Sequence, residues 1–324
     1  MRILITTGLS PADVGGPAQY AHNLAMEFNA KGHTSNIASY GSIERVLPIG
    51  IRHLYFFLKI LPRVFWSDGV IALDTFSVGV PSVLGARFLR KKITIRVGGD
   101  FLWSAYVNRT DEPLTLPVFY LNMPILNPKE KIILLFTKIL ISRADFLAFN
   151  TEWQRNIWCS FYKIKEGKSR VVRNFIPDRS EGGISTKRNF LWAGRLIPEK
   201  NIKMLKKFNV DMVTGEPHGR VLEKLKECYA AISLAYSDIC PNFIIEAVSF
   251  GKPFIMTKET GLNEIFPKGG LFVDPLNQAE ITKALEKMLD DNTHNKYVEE
   301  LKDAGIRHPW NELAEEFLEI WKRP

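Results

Sequence analysis

The chain has only 3 cysteines in 324 residues, Cys159, Cys228 and Cys240, and they follow neither a CxxC pattern nor a zinc spacing. An odd number without such spacing argues against a disulfide framework and a structural metal, and fits a reducing compartment. Also missing is any run near the roughly 18 apolar residues of a spanning helix. The opening MRILITTGLSPADVGG has an apolar stretch too short for a signal peptide before it turns glycine-rich and acidic. These gaps predict a cytoplasmic chain with any membrane contact peripheral, on the inner face. Acidic residues are scarce in one half only. Residues 1–180 hold 23 Lys and Arg against 13 Asp and Glu, whereas residues 181–324 hold 20 against 22, so the net charge of +8 belongs to the first half. RNP-like aromatic strands and zinc-finger spacings are lacking too, which argues against nucleic acid and leaves anionic lipid or an acidic substrate as the expected partner.

What is present is ordinary globular composition, 46% hydrophobic and 24% charged, in a chain long enough for two cores. Short β-branched apolar runs alternate with segments of helical period, the pattern of parallel sheets with crossover helices. Strands are expected at Ile3 to Thr7, Thr34 to Ser39, Val70 to Leu73, Ile93 to Val97, Phe146 to Phe149 and Arg170 to Arg173. A second set is expected at Phe190 to Ala193, Asp211 to Val213, Ala230 to Leu234, Pro253 to Met256 and Leu271 to Val273. Helices are predicted near 17–30, 50–66, 77–90, 125–143 and 151–162, with more after 277. Asn174 to Asn189, rich in Pro, Gly and Ser, breaks the rhythm and marks a boundary between domains 1–174 and 188–308. The α/β fold class is therefore two doubly wound, Rossmann-like domains facing across a cleft, where the carboxyl ends of such sheets bind ligands. Ile51 to Trp66 carries Arg52, Lys59 and Arg63 on one narrow helical stripe among aromatics and leucines. Two readings fit it: an interfacial helix on an anionic membrane, or a helix packed on the sheet with its basic residues in water.

Three segments carry candidate chemistry. After the first strand, Gly15 and Gly16 precede Pro17, a good first residue for a helix. The glycines let the backbone approach a ligand, and the helix start offers free N–H groups to an anion; a plain tight turn is the alternative. There is neither GxGxxG nor a Walker loop. In FLWAGRLIPEKN, Pro198 is expected to open a helix with Lys200 in its first turn, where the dipole opposes a cation. A bound polyanion reverses that sign, with Arg195 and Lys200 clamping a diphosphate at about 1.5–3 kcal/mol per contact. In SDICPNFIIEAVSFGKP, Asp238 precedes a helix on which Asn242, Glu246 and Ser249 form one polar stripe on an otherwise apolar surface. Facing a cleft, Glu246 suits sugar or ribose hydroxyls; facing water, the stripe is ordinary.

These segments together resemble the retaining, nucleotide-sugar-dependent glycosyltransferases of family 4, which have the GT-B fold. The matching pieces run in order: GGPAQYAHNLAMEFNAKGH, RADFLAFNTEWQRN, RVVRNFIPD, AGRLIPEKN and DICPNFIIEAVSFGKPFI. The resemblance implies that Gly16 abuts the donor phosphates and that Arg195 and Lys200 hold the diphosphate. It places Glu246 on the ribose, Asp238 near the donor sugar, and the backbone amides around Asn242 and Phe243 on the phosphates. It implies no metal and no cofactor beyond the nucleoside-diphosphate sugar substrate, with a lipid-linked or glycan acceptor. The reaction it implies is front-face, the departing phosphate taking the acceptor's proton. The sequence departs from the family at Asp238, a shorter acid in place of glutamate, and after the strand ending at Val97, where GGDFLW replaces a histidine and offers Asp100 as an acceptor-side group. None of the six histidines is expected in the site. Only 37 residues lie between Lys200 and Asp238, so the second domain is expected to be shortened, and residues 309–324 are expected to cross back to the first domain as a helix. Two other readings remain: a catalytically degenerate GT-B protein acting as a nucleotide-binding or membrane-associated partner subunit, and an epimerase of the same fold.

Overall fold

The computed structural model describes residues 1–9, 16–180, 182–183, 185, 187–303 and 305–322. Its first sheet has six strands, β1 (Arg2–Thr7), β2 (Thr34–Ser39), β3 (Gly69–Ala72), β4 (Lys92–Val97), β5 (Phe146–Phe149) and β6 (Ser169–Val171). The second has five, β7 (Phe190–Ala193), β8 (Val210–Val213), β9 (Ala230–Ser233), β10 (Phe254–Thr257) and β11 (Gly270–Val273). All paired strands are parallel, and the sheet orders are 2-1-3-4-5-6 and 11-10-9-7-8. Each apolar run read from the sequence forms a strand, with ends shifted by a residue or two. Strands buried on both faces need no polar alternation, which is why their runs are continuous.

Period-2 alternation along β1 decides what each face packs against. Leu4 joins Val70, Ile93 and Ile95 on the face covered by helices Ile49–Trp66, Gly79–Phe88 and Pro128–Arg143. Ile3 and Ile5 join Ile71 on the opposite face, beneath helices Gly16–Ala30 and Trp310–Lys322. The chain thus crosses to the second domain and returns. The crossings are tied where Ile176 and His308 exchange backbone hydrogen bonds of 3.0 and 3.1 Å, beside Phe175 stacked on Trp310 at 4.9 Å.

Helix Ile49–Trp66 packs on the sheet through His53, Phe56, Ile60 and Val64. Its basic stripe is not wholly in water, however. Lys59 donates to Ser39 O at 3.0 Å and pairs with the buried Glu44, while Arg52 donates to Leu47 O at 3.0 Å. Ile51, Leu54, Leu58 and Phe65 form the exposed stripe instead, with Phe65 71% exposed. The structure also adds helices Ser42–Val46, Phe101–Thr110 and Leu116–Leu121, which the sequence reading did not identify.

The returning helix is held by Trp321, whose indole lies 3.0 Å from where a Cβ on Gly69 would sit and donates to Thr94 Oγ1 at 2.9 Å. Trp321→Ala removes a large buried side chain and its hydrogen bond together. It is expected to lower stability by about 3–5 kcal/mol, measured as a shift in the urea midpoint followed by circular dichroism.

Candidate functional site

In each sheet the strand order reverses beside the first strand of its domain, between β1 and β3 and between β7 and β9. Connections leave in opposite directions there, opening a crevice at the carboxyl ends. The loop after β7 carries Gly194, Arg195 and Lys200, and the loop after β9 carries Asp238 and leads into helix Asn242–Ser249. Both border a cleft of about 910 Å³ between the domains, whose opposite wall comes from the loops after β1, β3, β4 and β5.

The structure brings the predicted residues together, with changes of detail. Pro198–Lys200 is a 3-10 turn, Asn201 follows in the left-handed region at φ 53°, and the next helix is only Ile202–Leu205. Lys200 therefore precedes a helix of one turn, whose dipole is small. Its ammonium meets Asp238 Oδ2 at 2.7 Å, so one expected diphosphate ligand is paired with the expected sugar contact. Arg195 borders the same cleft, exposed, and forms no ion pair among the described residues. Asn242 and Phe243 line the cleft at the start of their helix, behind Pro241. Gly16 begins helix Gly16–Ala30, whereas Gly15 lies outside the described residues.

The expected polar stripe is shorter than its sequence period. Asn242 is exposed and Glu246 half-buried, but Ser249 is buried and donates to Glu246 O at 2.7 Å. Burial pushes the Glu246 carboxyl above the ordinary carboxylate range, partly opposed by His218, whose Nε2 lies 2.8 Å from Glu246 Oε1. His218 was expected to be structural; it starts the helix His218–Glu227 after β8, and no local spacing announces a contact made across 28 residues. Glu246 and His218 line a smaller cavity of about 140 Å³ with Tyr20, Asn174 and Trp310, next to the main cleft.

Asp100, expected as an acceptor-side group, is among the residues that line the cleft and also caps helix Phe101–Thr110. It is 4% exposed, and its carboxylate accepts from Trp103 N at 2.8 Å, Tyr120 Oη at 2.7 Å and Trp158 Nε1 at 2.8 Å. Burial raises its pKa despite these donors. The readable signal was an N-cap Asp followed by Leu102, Trp103, Tyr106 and Val107, all buried. Asp74, directly after β3, was missed. It lines the cleft, and its Oδ1 accepts from the backbone N–H groups of Phe76 and Val78 at 2.9 and 3.0 Å. Glu199 was also missed: from the GRLIPEKN loop it docks on the first domain, bonded to Asn108 Nδ2 at 3.0 Å.

With this geometry in place, the chain can be set beside known proteins. Residues 204–307 match the family model described as Glycosyl transferases group 1, a span that includes Asp238 and Glu246 and begins after Arg195 and Lys200. The whole chain has the GT-B fold of two facing Rossmann-like domains. It is similar to sucrose-phosphate synthase from Thermosynechococcus elongatus, at TM-score 0.73 and 12% identity over 99% of this chain and 98% of that one. It is similar as well to Anabaena HepE in complex with UDP-glucose, at TM-score 0.69 and 12% identity over 99% of both chains. WaaG, a glycosyltransferase involved in lipopolysaccharide biosynthesis, matches at TM-score 0.67 and 13% identity over 98% of this chain and 99% of that one. No curated protein sequence matches the chain.

The His218 contact makes a signed prediction. A carboxyl whose folded pKa is raised contributes stability below its unfolded pKa, and that contribution is lost as pH rises through the folded value. His218→Ala removes the group that opposes burial at Glu246. The Glu246 carboxyl should then titrate at higher pH than in the wild type, read from its side-chain carbon NMR signal, and stability should fall over a wider span above the ordinary carboxylate range.

Proposed function

We propose that the protein is a retaining glycosyltransferase of the family-4 type, moving a sugar from a nucleoside diphosphate to a lipid-linked or glycan acceptor without a metal. One observation carries this reading. At the switch point of the second sheet, two cations, the Asp238 carboxylate and a helix start converge on one wall of an interdomain cleft, and Glu246 on that helix lines the smaller cavity beside it. Cations and free N–H groups suit a diphosphate, and carboxylates suit the hydroxyls on either side of it. The group 1 match over residues 204–307 and the fold shared with a UDP-glucose complex support the same donor class.

In this reading Arg195 and Lys200 hold the diphosphate, the Asn242 and Phe243 amides support it, Glu246 takes the ribose and Asp238 the sugar. Lys200 leaves Asp238 as the phosphate arrives, freeing the carboxylate for a sugar hydroxyl. The acceptor oxygen then bonds to the anomeric carbon on the face from which the diphosphate departs, and its proton passes to the departing phosphate oxygen. Arg195 and Lys200 stabilise the charge that develops on the leaving group. Donor binding is the test. Calorimetry with UDP, GDP and ADP is expected to find one tight ligand, and Arg195→Ala and Lys200→Ala should each weaken it about tenfold or more. A wild type that binds none of the three would refute the donor assignment, and binding without transfer or hydrolysis of the matching sugar nucleotide would favour the non-catalytic partner.

The acceptor side of the proposal includes an anionic membrane surface at the basic first domain. No helix among the described residues is long and apolar enough to cross a membrane. The supporting feature is the exposed Leu54, Leu58 and Phe65 stripe, continued by Phe88 on the neighbouring helix. Leu54→Glu with Phe65→Glu should abolish co-sedimentation with phosphatidylglycerol vesicles while leaving nucleotide binding intact. Charge reversal at Lys59 is a poor probe because it breaks the pair with buried Glu44.

A further inference from the structure

Strand β4 ends the first domain's wall with a buried cation. Its alternation sends Ile93, Ile95 and Val97 into one core, and Thr94 toward Trp321 under the opposite helices. Arg96 shares the Thr94 face and sits at the carboxyl end of the sheet, only 3% exposed yet lining the cleft. Its guanidinium donates to Val172 O and, at 2.6 Å, to Asn174 Oδ1, and lies 5.4 Å from the centre of the Tyr20 ring. These partners are all neutral. Among the described residues no carboxylate pairs with Arg96; Glu316, which acts electrostatically on Tyr20, lies 3.3 Å from His308.

A buried guanidinium bonded only to neutral acceptors is a costly arrangement unless something else supplies an anion in contact with it. Two of its five donors are placed, leaving others for a ligand. Its neighbour Asn174 points to where such a ligand lies: Asn174 Nδ2 donates at 3.3 Å to Asn242 Oδ1, at the start of helix Asn242–Ser249. Arg96, Asn174 and Asn242 line the cleft shared with Arg195 and Lys200. Asn150, 4% exposed on the same wall, has a buried Oδ1 without a partner, an acceptor suited to a hydroxyl beside the anion.

We propose that Arg96 is a phosphate-binding residue, supplying from the first domain a third positive charge to the diphosphate that Arg195 and Lys200 approach from the second. The inference rests on the donor reading above and adds to it a residue outside the motifs that suggested it. It also gives the domains a reason to close, since only a ligand bridging both walls satisfies all three cations.

The experiment is calorimetry with inorganic pyrophosphate, the nucleoside diphosphate that binds the wild type, and the matching nucleoside, on wild type, Arg96→Gln and Arg96→Lys. Arg96→Gln should weaken pyrophosphate and the diphosphate roughly tenfold or more, leave the nucleoside unchanged, and reduce the salt dependence of binding. Arg96→Lys, a point charge without the fork, should recover part of the loss. Should the glutamine variant fail to fold by circular dichroism, the lysine variant decides, with a several-fold loss for pyrophosphate and none for the nucleoside expected. Unchanged pyrophosphate affinity in the folded variant overturns the proposal, as does an equal loss for the nucleoside, which marks a structural role. A phosphate carried by the acceptor would leave all three affinities unchanged and so also counts against it. A wild type that binds neither pyrophosphate nor any nucleoside diphosphate removes the donor reading and this inference with it.

Discussion

The arrangement depends on one constraint: the chain must pass between the domains twice, and the two passages are tied together. Ile176 and His308 bond reciprocally, and Phe175 stacks on Trp310 just before the last helix docks on the first sheet. A single linker would leave the second domain free to swing in most directions. Two passages joined by a backbone bridge restrict that motion toward a hinge, and Asn174 lies on it with its side chain between Arg96 and Asn242. Cleft geometry and hinge geometry are therefore the same problem in this molecule.

The second consequence concerns charge. In the cleft Lys200 is paired with Asp238, and in the cavity beside it Glu246 is in contact with His218, while Arg195 and Arg96 have no carboxylate partner among the described residues. Each pair keeps a half-buried group hydrogen-bonded, which limits its desolvation penalty. In the proposed donor complex, a diphosphate exchanges ammonium-to-carboxylate for ammonium-to-phosphate, a near-even change at Lys200. The net gain then falls on the two arginines, whose bonds to the anion replace nothing ionic. Asp238, one methylene shorter than glutamate, still reaches Lys200 at 2.7 Å, so the shorter acid does not forfeit this pairing.

Much of the fold was legible because buried parallel strands write themselves as short runs rich in β-branched and other apolar residues, as ILITT does. Helix Phe101–Thr110 was less legible, since GGD reads as loop punctuation and its aspartate invited a chemical reading in place of a cap. The site separates the same way. Arg195, Lys200, Asp238 and Glu246 stand on segments whose order resembles a known family, so they were found; His218 and Asn108 reach the site through contacts across 28 and 91 residues, which no periodicity encodes. Ser249 failed for a different reason. Helical spacing fixes direction, but the stripe's far end is buried beside the linker at Ser180, whose N–H donates to Ser249 O at 2.9 Å.

Arg96 shows why a sheet can hide chemistry in plain alternation. In KITIRV the period of two requires a side chain on the face of Lys92 and Thr94, and an arginine there reads as an edge residue in solvent. The parallel topology buries that face under two helices, one of them from the far end of the chain, and of the strand's residues brings only the penultimate one, Arg96, to the cleft. In the middle of that face, at Thr94, a cation would meet Trp321 with no route to an anion. The returning helix that completes the first domain's core thereby also creates the dry surroundings on which the proposed contact of this guanidinium with a phosphate depends.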